Sequence, residues 1–78
     1  EANTRVVQAR ATMDLALRTA ERVRSVFADG GLSAEALDRA ELEATNAERE
    51  HEAALARVRA AQSEASAARA ALLDVDPS

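Results

Sequence analysis

The one histidine of the chain, His51, stands among Glu48, Glu50 and Glu52. Imidazole titrates near neutrality, so a histidine amid carboxylates is a place to look for a proton sensor or part of a metal site. A metal centre does not follow from this spacing. Glu48 and Glu52 flank His51 without sharing its helix face with another strong ligand, and the chain has no cysteine and no second histidine. His51 reads instead as a partly buried imidazole whose ring tip reaches solvent or a carboxylate. No nucleophile stands beside a base, no carboxylate pair falls in a plausible cleft, and no glycine loop of phosphate-binding type occurs. The expectation is a protein that is not an enzyme, with no catalytic, cofactor-binding or metal residues.

The elements around His51 follow from composition. Apolar residues make up 47% of the 78, yet there is one Phe, no Tyr and no Trp, and most of the apolar count is alanine. Alanine adds little buried area, so a thick globular core is not expected. It is also the best helix former, with Arg, Glu, Leu and Gln close behind. Only two Gly and one Pro interrupt the chain. These features predict an all-α, thin and elongated molecule. The net charge is −4 and every basic residue except His51 is arginine. An acidic chain almost without aromatic rings lacks both the basic face and the stacking platform that nucleic acids require, so no nucleic-acid partner is expected. No apolar run approaches the roughly 20 residues of a membrane span, and no signal peptide is visible.

One break dominates the pattern. Asp29-Gly30-Gly31 ends a helical stretch and Ser33 begins another. Glycine just past a helix end takes the left-handed conformation that closes the last turn. Ser33 is a good N-cap, and Glu35 falls in the first turn, where the helix dipole favours a carboxylate. The spacing predicts helix 1 over about 2–28, a turn over 29–32, helix 2 over about 33–73, and a frayed tail over 74–78 that contains Pro77. A short link between long helices makes them antiparallel neighbours. The fold class expected is therefore a two-helix antiparallel coiled-coil hairpin.

A heptad seam joins the two helices. Ala2, Val6, Ala9, Met13, Ala16, Ala20, Val23 and Phe27 recur at alternating spacings of four and three. Ser33, Leu37, Ala40, Ala44, Ala47, His51, Ala54, Val58, Ala61, Ala65, Ala68 and Leu72 do the same. Of these 20 positions 18 are apolar, against 47% of the chain, which favours a seam over chance. Folded about the glycine pair, the seams meet where residue numbers sum to 60. Val23 then faces Leu37, Ala20 faces Ala40, Ala16 faces Ala44, Met13 faces Ala47, Ala9 faces His51 and Ala2 faces Val58. Most layers set a large residue against a small one or alanine against alanine, so the backbones can approach toward the low end of the ~8–10 Å range for packed helices. Ala61, Ala65, Ala68 and Leu72 have no counterpart, and helix 2 should overhang by roughly 20 Å at ~1.5 Å per residue. This unpaired stripe leads to the expectation that the chain is a fragment of a longer protein in which helix 1 continues upstream.

The turn segment, from Arg22 through Val26, Gly30, Gly31 and Ser33 to Ala40, resembles the hairpin tip of the HlyD-like membrane fusion proteins, the periplasmic adaptors of tripartite efflux and secretion pumps. Their tips carry Arg, three residues, Leu, six residues, then Ser. Arg22, Val26 and Ser33 keep both spacings, with Val26 where the family has Leu. Glu35, Leu37, Asp38 and Ala40 continue the likeness. About 20 residues carry the specific match, and the hairpin pattern extends it over nearly the whole chain.

The resemblance implies a coiled-coil arm that docks by its tip on a TolC-type outer-membrane duct. Neighbouring adaptor hairpins pack side by side as a homo-oligomer. Domains outside this chain reach an inner-membrane transporter, and the parent protein is periplasmic and anchored to the inner membrane. On this reading Arg22 donates hydrogen bonds to backbone or carboxylate groups of the duct, Val26 gives apolar contact and Ser33 a small polar one, while Gly30 and Gly31 form the turn. Arg22 and Val26 lie one turn apart off the seam. Val7, Leu15, Leu42 and Leu55 are also off the seam and should be exposed, suiting lateral packing. Residues 1–28 carry five Arg against three acidic residues, net +2, and residues 29–78 five Arg against eleven, net −6. Exposed pairs Asp14–Arg18 and Glu35–Arg39 should contribute only ~0.3–0.5 kcal/mol each. The alternative is a free-standing antiparallel coiled-coil spacer or dimerisation module of a cytoplasmic protein.

Overall fold

The computed structural model describes residues 2–75. Two helices, α1 over Ala2–Ala28 and α2 over Ala34–Val75, double back on each other across the glycine pair. The result is an all-α antiparallel hairpin 75 Å long and 16 × 14 Å across. α2 extends two residues past its expected end. Asp74 and Val75, expected in a frayed tail, continue the helix, since no Gly or Pro intervenes before Pro77. Tail residues 76–78 and the side chain of Ala2, expected opposite Val58, lie outside the described residues. No described helix is long and apolar enough to cross a membrane.

The heptad stripe is the contact surface. Val6, Ala9, Met13, Ala16, Ala20 and Val23 on α1, and Leu37, Ala40, Ala44, Ala47, His51, Ala54 and Val58 on α2, are buried or half-buried. The four buried residues among the described ones are all alanines, Ala20, Ala40, Ala44 and Ala54. Ala20, Ala40 and Ala44 form one cluster, against which Ala16 and Val23 pack. This grouping fits the register expected from the two seams. A pair of helices has no third neighbour, so only a side chain short enough to sit between the backbones is fully covered. Longer ones such as Val23, Leu37 and Met13 are only half-buried. Phe27 and Ser33, the last layer before the turn, are exposed because no further chain folds over that end of the hairpin.

Beyond Val58 the stripe is bare. Every residue from 61 to 74 is exposed, including Leu72 at 74% and Leu73 at 73%. Val7, Leu15 and Leu42 are exposed off the seam as expected, but Leu55 is half-buried. It follows Ala54 directly, and that position borders the contact stripe instead of facing solvent.

The alanine cluster makes a direct prediction. Leucine at Ala20 would separate the helices and cost about 1–3 kcal/mol by overpacking. Leucine at the exposed Ala61 should stay within about 0.5 kcal/mol of the parent. Thermal unfolding followed by circular dichroism compares them, and equal melts would show that the helices do not close over Ala20.

Candidate docking tip

The bend is built by two glycines with different jobs. The Gly30 N–H donates to the Phe27 carbonyl at 2.9 Å and the Gly31 N–H to the Val26 carbonyl at 2.9 Å. These are the paired bonds of a Schellman ending, which satisfy carbonyls that α1 would otherwise leave open. The motif needs a left-handed residue, and Gly30 supplies it with φ +81°. A side chain at Gly30 would meet nothing within 4 Å, so the need there is for backbone freedom alone. At Gly31 the need is for space: a Cβ would lie 2.7 Å from Val26 Cγ1 and 3.3 Å from the Val26 carbonyl oxygen.

Ser33 restarts the chain. Its Oγ accepts the Ala36 N–H at 3.1 Å, and its carbonyl accepts the Leu37 N–H at 3.2 Å, the geometry of an N-cap. Glu35 sits in the first turn of α2 as expected. The Ser33 hydroxyl proton is not engaged by this cap, so the residue can hold the helix end and still donate outward.

Three sequence-selected residues thus fall at one end of the rod in different settings. Arg22 is exposed on a flank, with its Nη2 donating to Thr19 Oγ1 at 3.4 Å. Val26 is exposed yet rests one methyl over Gly31, so it also shapes the turn. Ser33 is exposed and capping. Two apolar side chains join them that sequence reasoning did not place in the site: Phe27, which the heptads had assigned to the seam, and Leu32, which no seam position accounts for. Both stand open at the tip, 37% and 40% exposed beside Val26 at 41%. A leucine inside a glycine-rich turn was the available signal.

Below the tip the rod presents two flanks. On one, a groove lined by Thr12, Leu15, Ala16, Thr19, Glu43 and Asn46 continues into another lined by Arg5, Gln8, Glu50 and Arg57. On the other, Leu17, Glu21, Arg24, Glu41, Thr45 and Glu48 line a groove. There Arg24 bridges the helices, its Nη2 3.0 Å and its Nε 3.3 Å from Glu41 Oε2. This is the one salt bridge among the described residues. The expected pairs Asp14–Arg18 and Glu35–Arg39 do not form, because an exposed pair one turn apart gains too little to hold two long side chains together. Both grooves are open to solvent, so they can dock a surface but cannot exclude water from a reaction. His51 is half-buried on the seam, and no group of three or more potential metal-ligating side chains gathers among the described residues.

Alanine substitutions separate the turn roles. Gly30→Ala should cost about 1–2 kcal/mol from the left-handed backbone, whatever its neighbours. Gly31→Ala should cost less in a Val26→Ala background than in the parent, because the obstructing methyl is gone and only the 3.3 Å approach to the Val26 carbonyl oxygen remains. Ser33→Ala should cost about 1 kcal/mol through the lost cap. A thermal-melt double-mutant cycle reads all three, and additivity of Gly31→Ala with Val26→Ala would contradict the steric assignment. No protein-family model, curated protein or solved structure matches the chain.

Proposed function

We propose that this chain is the coiled-coil hairpin of a periplasmic adaptor, docking by its tip onto a TolC-type outer-membrane duct. The hairpin performs no chemistry. It packs laterally with neighbouring hairpins and links the duct to an inner-membrane transporter through domains of its parent protein, which is periplasmic and anchored to the inner membrane. The carrying observation is the concentration of exposed contact groups at the bend: Arg22, Val26 and Ser33 at the family's spacing, with Phe27 and Leu32 open beside them. A planar guanidinium beside an apolar patch suits a surface of backbone carbonyls, carboxylates and small apolar side chains.

The bare stripe from Ala61 to Leu72 also suits a second reading, a coiled-coil spacer or dimerisation module, since an exposed apolar helix face is what such a module offers a partner. The two differ in what the tip does. In a pull-down with a TolC-type duct, the wild-type chain should be captured. Arg22→Asp should abolish capture while helicity by circular dichroism is unchanged. Capture that survives the substitution, or its absence in the wild type, would remove the docking assignment.

A further inference from the structure

Between Ser25 and Ala36 the chain carries two charges, Asp29 and Glu35. Glu35 has a structural reason for its place. It lies in the first turn of α2, where open N–H groups favour a carboxylate. Asp29 has the opposite setting. Its N–H donates to the Ser25 and Val26 carbonyls at 3.3 and 3.2 Å, so it continues the last turn of α1. The negative end of that helix points at it, and α1 has no basic residue in its last turn to offset the repulsion. Asp29 is exposed. Among the described residues its carboxylate meets no cation and no hydrogen-bond donor. The arginines near the bend are placed elsewhere. Arg24 is bridged to Glu41, and Arg22 is bonded to Thr19, one turn further down. Arg39 stands in the second turn of α2, level with Glu21 in the seam register.

We infer that Asp29 is a docking residue of the tip, and that the duct surface it meets presents a basic side chain, arginine or lysine. Val26 and Asp29 follow Arg22 by four and seven residues, so the three share one face of α1. The face reads cation, apolar group, anion over roughly 10 Å at ~1.5 Å per residue, and it runs up to the apex. A complementary surface offers an acceptor to Arg22, an apolar group to Val26 and a cation to Asp29. Opposite charges at the two ends of the stripe also fix the direction of docking, because a partner turned end for end would set like charges together. A carboxylate held against its own helix dipole weakens the free hairpin, and a basic group on the partner removes that repulsion on contact. Stability given up at an exposed position in this way is the mark of a group kept for binding. This inference deepens the tip docking proposed above and rests on it.

Asp29→Asn removes the charge and keeps the shape, so it separates the two effects. In thermal melts of the full chain it should raise the Tm by about 2–5 °C. In titrations against an immobilised TolC-type duct it should bind about three- to tenfold more weakly than wild type. Asp29→Lys should bind at least about tenfold more weakly. Raising salt from about 50 to about 500 mM should narrow the gap between wild type and Asp29→Asn. Asp29→Asn captured as tightly as wild type, with capture lost in Arg22→Asp, overturns this inference and leaves tip docking standing. A wild type that is not captured removes tip docking and this inference with it. A Tm lowered by Asp29→Asn would make Asp29 a residue that holds the turn, and overturns the inference as well.

Discussion

The structure depends on two helix backbones lying close enough to bury alanine. Ala20, Ala40, Ala44 and Ala54 are the buried side chains among the described residues, and each adds on the order of 1 kcal/mol of apolar burial. Such a contact holds two helices in line but builds no interior. Its consequence is a rod 75 Å long and about 15 Å thick, with every other group at or near the surface. Such a shape leaves its end and its two sides as the surfaces a partner could meet.

The end of the rod is specified more tightly than its shaft. A left-handed backbone at Gly30, a missing side chain at Gly31 and the Ser33 cap together satisfy the groups that two helix ends expose within a few residues. The same economy leaves Val26, Phe27 and Leu32 without cover, since a tight turn has no further chain to fold over them. Ser33 is both cap and exposed hydroxyl, and Val26 is both lid on Gly31 and exposed apolar group. Substitutions at these two positions disturb the turn itself, whereas Arg22 is held only by a 3.4 Å bond to Thr19.

The shaft divides into a paired and an unpaired part at Val58. Up to that point α1 covers the heptad stripe of α2; beyond it the same spacing continues over Ala61, Ala65, Ala68 and Leu72 with water as its neighbour. In the paired part the Arg24–Glu41 bridge lies on the flank of the Leu17 groove. That bridge lies across the seam, where the helices hold the two side chains within reach. Asp14–Arg18 and Glu35–Arg39, each along a single helix, do not form.

The sequence by itself determined the two helices, the place of the bend, the stripe that joins them and the register. Alanine propensity, the glycine pair, the serine cap and the four-three spacing are local signals that need no partner to be read. It also marked Arg22, Val26 and Ser33, through their spacing about the turn. Only the tertiary structure decided which groups share a surface. Leu55 and Arg24 look like ordinary exposed residues until the second helix arrives beside them, and Leu32 and Phe27 are tip groups because the turn leaves them uncovered. The Arg24–Glu41 bridge likewise arises only when an antiparallel partner brings distant residues to one height, a relation that no periodicity along one helix contains.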